Sequence, residues 1–171
     1  MGVEEHRKTA PKRFKFAVIT VSDTASRGER EDASGRFLLK AFEGEGNENV
    51  YYKAVPDEKL SIIGALVEAF ERGAELIITT GGTGVTHRDV TIESLRPLFD
   101  KELEGFGEVF RLRSHDEIGT AVVLTRATAG IIRSGGRAVA VFCLPGSPNA
   151  VRTGFEILRR EAYHVLKHAG E

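Results

Sequence analysis

The chain has a single cysteine, Cys143, among 171 residues, so it can build neither an internal disulfide framework nor a thiolate metal cluster. Cys143 lies inside the apolar run Val139 to Leu144, where it reads as a small core residue in a reducing compartment. An excess of one charge is also missing. Lys and Arg number 24 against 25 Asp and Glu, and no basic stripe offers the electrostatic footprint that a nucleic-acid backbone requires. No apolar stretch approaches the roughly 18 to 20 residues that span a bilayer, and the start of the chain has no apolar core of the secretory type. Internal repeats and low-complexity tracts are absent too. The expectation is a cytoplasmic protein whose ligands are small molecules, with no nucleic-acid and no membrane partner.

What is present suits one domain, since a chain of this length buries about 70% of its unfolded surface without needing a staple. Residues 1–13, with His6, Arg7, Lys8, Lys12 and Arg13, read as a flexible N-terminal arm, and residues 14–171 as the domain. Lys15 to Ser22 is a β-branched run of the kind buried in a parallel sheet. Phe37, Leu38, Ala41 and Phe42 mark a helix, and Val50 to Val55 a second strand. Leu60, Ile63, Val67 and Phe70 form a stripe at helical spacing, closed by Gly73 before the strand Glu75 to Thr80. Two further helical patterns surround Ile92, Leu95 and Phe99, and Leu103, Phe106 and Phe110. Thr125 to Ile132 and Arg137 to Leu144 read as a hairpin about Ser134-Gly135-Gly136. Val151, Phe155, Leu158, Ala162 and Val165 predict a long closing helix. The order implies an α/β fold: three layers, α/β/α, on a mostly parallel sheet with one antiparallel strand.

Ligands of such sheets sit beyond the carboxyl ends of the strands, and the most informative segment lies at one of these ends. Thr80-Gly81-Gly82-Thr83-Gly84 follows a strand and precedes Arg88-Asp89. Its glycines let the backbone approach a ligand and turn N–H groups toward an anion, while the threonines add hydroxyl donors. The loop lacks the Lys-Ser/Thr ending of a Walker A motif and the G-x-G-x-x-G spacing of dinucleotide folds. A tight strand-to-helix turn explains it equally well if it is taken alone. Ser22-Asp23 ends the first strand and Pro56-Asp57 the second. Leu144-Pro145-Gly146-Ser147-Pro148 offers a second helix start with Ser147 as cap and Pro148 at the first helical position. Asp57 and Asp89 are the candidate Mg²⁺ carboxylates, because hard cations take oxygen ligands and retain waters; both also suit capping or helix-dipole roles. Glu108, on a Phe-rich helix, is a secondary candidate for binding the N–H edge of a heterocycle. Histidine offers less: His87 reads as a solvated loop residue, and His164 and His168 have metal-pair spacing without a third ligand.

These residues together resemble the molybdenum cofactor biosynthesis proteins of the MoaB and MogA group, over about Phe16 to Leu158. The resemblance is carried by Val21-Ser22-Asp23, Pro56-Asp57-Glu58, Thr80 to Gly84, Arg88-Asp89-Val90-Thr91, Glu104 to Glu108, Glu117-Ile118-Gly119-Thr120, Thr125-Arg126-Ala127 and Leu144-Pro145-Gly146. The stretch from Leu98 to Thr120 looks more like MoaB than MogA. The resemblance implies the molybdopterin-binding fold and adenylylation of molybdopterin by Mg-ATP with release of pyrophosphate. Asp57 and Asp89 would then hold or orient Mg²⁺, Gly81 to Gly84 would cradle phosphates, and Ser22, Asp23, Gly146 and Ser147 would line the pterin and nucleotide parts of the cleft. It also implies a homo-trimer or hexamer, and as partners other proteins of cofactor biosynthesis. A non-catalytic molybdopterin carrier is the alternative; Mg²⁺-dependent pyrophosphate release separates the two.

Overall fold

The computed structural model describes residues 13–171, so all but the last residue of the expected N-terminal arm lies outside the described residues. Six strands, β1 (Lys15–Val21), β2 (Glu48–Val55), β3 (Leu76–Thr80), β4 (Lys101–Glu102), β5 (Thr128–Ser134) and β6 (Arg137–Leu144), form one sheet in the order β2-β1-β3-β6-β5-β4. β1, β3 and β6 are buried almost throughout. That explains why they read as continuous apolar runs rather than as alternation: helices cover both of their faces. β1 pairs in parallel with β2 and β3, and β3 with β6. β5 alone runs antiparallel to its neighbours β6 and β4. The hairpin from β5 to β6 turns on Gly135 and Gly136, with φ of 57° and 77°, the positive pair that a two-residue hairpin needs.

The helices are α1 (Asp23–Ser26), α2 (Ala33–Gly44), α3 (Lys59–Glu71), α4 (Thr91–Leu95), α5 (Glu104–Ile118) and α6 (Pro148–Ala169), with 3₁₀ segments at Arg96–Leu98 and Gly119–Leu124. α2, α5 and α6 bury Leu38, Phe42, Phe106, Phe110, Phe155 and Leu158 against Phe16, Val18 and Phe142 of the sheet. α3 and α4 bury Ile62, Leu66, Ile92 and Leu95 against Ile19, Ile77 and Val141. These are the two outer layers expected. The first side is aromatic: Phe42 meets Phe155 at 5.0 Å and Phe106 meets Phe142 at 4.9 Å, both edge-on. Such pairs contribute about 0.5–1.5 kcal/mol beyond the area they bury.

Several expected boundaries move. β5 starts at Thr128, not Thr125, because a 3₁₀ segment occupies the chain up to Leu124 and Ala127 is needed as a core residue under α5. β4, two residues pairing with Gly130 and Ile131, is too short to leave a sequence pattern. The stripe expected to be the buried face of α3 is also corrected: its buried residues are Ile62, Ala65, Leu66 and Ala69. Leu60 is 83% exposed and Val67 46%, while Ile63 and Phe70 only flank the core. The true face depends on two alanines, which close-pack against the sheet but carry little hydrophobic signal.

Parallel pairing of β2, β1, β3 and β6 brings four carboxyl ends to one rim. Val21 stands opposite Val55, and Thr80 opposite both Thr20 and Leu144. The chain leaves β1 toward β2 on one side and resumes with β3 on the other, so the rim contains the point where strand order reverses, the usual ligand position in such sheets.

Candidate functional site

The glycine loop is built by its neighbours. Gly81 and Gly82 have φ of 97° and 65°, and the backbone around them is pinned at both ends. Gly81 donates its N–H to Leu144 O at 3.0 Å. Its carbonyl accepts from the Thr91 hydroxyl at 2.9 Å, and the Gly82 carbonyl from the Thr91 N–H at 3.0 Å. Thr91, a buried residue that opens α4, therefore occupies the carbonyls of Gly81 and Gly82 and fixes this part of the loop. The Gly84 and Thr86 N–H groups and the Thr86 hydroxyl converge on the Asp89 carboxylate. The N–H groups of Gly82 and Thr83 are left without an acceptor among the described residues. The anion-binding capacity of the loop is thus narrower than the spacing of its glycines suggests, and it rests on residues 82 and 83.

Asp57 and Asp23 are locked together across the ends of β1 and β2. Asp57 Oδ2 accepts the Asp23 N–H at 2.9 Å, and Asp23 Oδ1 accepts the Asp57 N–H at 3.0 Å. Asp57 therefore does not cap the helix that follows it; the residue at the cap of α3 is Glu58, without a side-chain bond. Arg88 donates to Asp23 Oδ2 at 2.5 Å. That bond holds the Asp23 carboxyl below its usual range. Asp57 moves the other way: burial pushes it up, and the charges of Asp23 and Asp89 add to the push. For Asp89, burial alone would raise the carboxyl, but the bonds from Thr86 and Gly84 bring it below its ordinary value. The rim thus holds one strained carboxylate, Asp57, between two well-supported ones.

One cavity opens at this rim, and a second lies beside it between α4, α5 and the start of β5. The first, of about 410 Å³, is lined by Ser22, Asp32, Thr80, Gly81, Gly146 and Ser147, among others. Ser22 caps α1 by accepting the Ala25 N–H at 3.2 Å, and Ser147 caps α6 by accepting the Ala150 N–H at 3.3 Å. The Thr80 hydroxyl donates to Pro145 O at 3.3 Å. A Cβ on Gly146 would stand 3.2 Å from Gly81 Cα, so the two glycine-bearing joints touch backbone to backbone. The second cavity, of about 860 Å³, includes Glu93, Arg96, Glu108, Arg111 and Arg126 in its wall. Glu108 therefore belongs to this second cleft, apart from the first cavity. Arg126 links it to the loop: its guanidinium donates to Gly84 O at 3.0 Å and pairs with Glu93.

Ser22, Thr80, Gly81, Gly146 and Ser147 thus line one cavity, Asp57 and Asp89 stand beside the same loop, and Asp23 is bonded to Asp57. No group of three or more His, Cys, Asp or Glu side chains suited to a metal occurs among the described residues. His87 is exposed. Sequence reading passed over Asp32, Ser34, Thr91 and Arg126 as site residues. Asp32 did have a signal, since Asp three residues before Gly35 and ahead of the Phe37-Leu38 pair is a helix-start pattern. The role of Thr91 had none.

Residues 17–164 match the family described as "Probable molybdopterin binding domain". The chain is 61% identical over 171 residues to the molybdopterin adenylyltransferase of Pyrococcus furiosus, with 100% of both chains covered. It is 41% identical over 170 residues to molybdenum cofactor biosynthesis protein B of Bacillus subtilis, covering 98% of this chain and 96% of that one. Among solved structures, the tungsten cofactor synthesizing protein MoaB from Pyrococcus furiosus superposes with a TM-score of 0.91 at 60% identity, over 95% of this chain and 100% of that chain.

Proposed function

Because the chain belongs to the molybdopterin-binding domain family, on its MoaB side, we propose that it is a molybdopterin adenylyltransferase of molybdenum or tungsten cofactor biosynthesis. The observation that carries the reading is the junction of the pinned glycine loop with the reciprocal Asp23–Asp57 pair at the ends of β1, β2 and β3. In the reaction, an oxygen of the pterin's terminal phosphate forms a bond to the α-phosphorus of ATP, the α–β P–O bond breaks, and pyrophosphate leaves. No protein nucleophile is needed, so the protein's contribution is alignment and charge stabilisation.

On this reading the N–H groups of Gly82 and Thr83 receive phosphate oxygens in a geometry that Thr91 has already fixed. Arg88 and Arg126 flank the loop with positive charge. Asp57 and Asp89 are the residues that would hold Mg²⁺, and the fit is chemical: the donors are all oxygen, and Mg²⁺ is commonly held by one or two carboxylates together with substrate phosphates and water. When bound, the ion supplies neutralisation of the phosphate charge. Asp57, half-buried beside two other acids, is the carboxylate that gains most from a cation. Ser22, Gly146 and Ser147 line the first cavity, and Glu108 the second, as places for the ring systems of the two substrates. The test is pyrophosphate release from Mg-ATP by the purified chain. Release that depends on molybdopterin is expected; tight pterin binding without release would make the protein a carrier.

Self-association is part of the same proposal. Leu112 on α5 is 72% exposed, and Val123 and Leu124 in the neighbouring 3₁₀ segment 82% and 60%. Val123 and Leu124, adjacent in the chain and both exposed, are the kind of apolar surface that marks an interaction, and a second copy of the chain is the occupant we assign. Val123→Asp should shift the sedimentation or light-scattering mass toward the monomer with the melting curve of the monomer unit preserved. An unchanged mass would move the interface elsewhere.

A further inference from the structure

We propose that Asp32 and Ser34 are positioning residues, forming a strut across the first cavity that fixes the β6–α6 joint and, through it, the glycine loop. Only the catalytic readout of this proposal rests on the adenylyltransferase reading. Asp32 is the N-cap of α2, and its carboxylate gathers three donors from three elements. Oδ1 accepts the Gly35 N–H at 2.9 Å. Oδ2 accepts the Thr20 hydroxyl of β1 at 2.5 Å and the Tyr52 hydroxyl of β2 at 2.6 Å. Any side chain at residue 35 would overlap this carboxylate and the Thr20 hydroxyl, so the absence of a Cβ at Gly35 is what lets the group sit against the start of the helix. Burial together with the bond to Asp32 pushes the Tyr52 phenol up to about 12, so it remains a donor throughout the working range.

The first turn of α2 is thereby tied to the sheet, and from that fixed base Ser34 reaches over the cavity. Its hydroxyl donates to Gly146 O at 2.9 Å, across 112 residues of chain. Gly146 in turn packs against Gly81, whose N–H is bonded to Leu144 O. The line Asp32, α2, Ser34, Gly146, Gly81 joins both walls of the cavity to the phosphate loop. A capping role alone would need only the bond to Gly35. The two hydroxyls on Asp32 and the crossing bond of Ser34 are the surplus that assigns positioning.

Ser34→Ala is the primary test, because Ser34 is only half-buried and alanine suits a first helical turn. One net hydrogen bond is worth about 0.5–1.5 kcal/mol, so exchange of the Gly81 amide should quicken by about twofold to tenfold. KM for one of the two substrates should rise by a similar factor with kcat changed by less than about twofold, since binding geometry and not the reacting groups is loosened. Ser34→Thr, which keeps the hydroxyl, should restore both, and Asp32→Asn should move both in the same direction as Ser34→Ala. Unchanged Gly81 exchange in Ser34→Ala overturns the strut. So does a fall in kcat at constant KM, which reports only a smaller folded fraction. If the wild-type chain releases no pyrophosphate, the activity reading fails by itself, and Gly81 exchange still decides the strut.

Discussion

Asp57→Asn is expected to reduce pterin-dependent pyrophosphate release by about 10²–10³-fold, the usual cost of losing one preorganised charge-handling group, while the melting temperature at neutral pH holds or rises. Asparagine keeps an oxygen to accept the Asp23 N–H, so the geometry of the rim survives. The stability effect has a definite sign. Burial and the neighbouring acids raise the folded-state carboxyl of Asp57 above its unfolded value, so the folded chain binds this proton more readily than the unfolded one. Ionised Asp57 therefore costs stability, and the cost grows as pH rises from the unfolded pKa through the raised folded one. The advantage of the asparagine variant should accordingly be greatest near neutrality and shrink in acid.

Asp89 provides the contrast. Its carboxyl is depressed in the folded state by donors from Thr86 and Gly84. It contributes stability above the unfolded pKa and loses it as pH falls through the folded one. Asp89→Ala should lower both turnover and melting temperature, since it also strips the loop of its inner acceptor. Activity assays alongside thermal melts at two pH values separate these outcomes. Wild-type turnover in Asp57→Asn would remove that residue from the reaction. A melting temperature that falls more for Asp57→Asn than for Asp89→Ala would remove the strain argument. Natural proteins hold such unfavourable groups where function requires them.

The sheet was legible because its central strands are long, β-branched and buried on both faces, a signal that single-strand patterns carry unaided. The rim followed from it, since parallel strands place Ser22, Asp57, Thr80 and Leu144 at one edge whatever the loops do. What periodicity could not choose was the face of α3. Leu60, Ile63 and Val67 keep helical spacing as well as Ile62, Leu66 and Ala69 do, and only the packing of small alanines on the sheet separates them. The partners of the site residues were equally hidden. That Asp57 serves Asp23 rather than its own helix, and that Thr91 fixes the loop ten residues earlier, depends on pairings between elements that no local pattern records.

Gly81→Ala is expected to abolish turnover and to lower the melting temperature by roughly 5–15 °C, from about 2–5 kcal/mol of combined backbone and overpacking cost at about 2–4 °C per kcal/mol in a domain of this size. A positive φ of 97° is one part of this cost. The larger part is a collision with rigid material: the added methyl would overlap Val21 O, with Val21 C only 3.3 Å away. Val21 is the last residue of β1 and is paired with Val55 of β2, so relief requires β1 and β3 to part where they carry Ser22 and the loop. The same movement would disturb the Thr91 bond to Gly81 O and the seat of Gly146. Gly135→Ala is the control, because Gly135 also has a positive φ, of 57°, but nothing stands within 4 Å of its would-be Cβ. It should lose only the backbone part, about 1–2 kcal/mol, and keep full activity. Equal effects of the two substitutions would mean that the β1 contact does not shape the loop, and the phosphate site would have to be drawn without it.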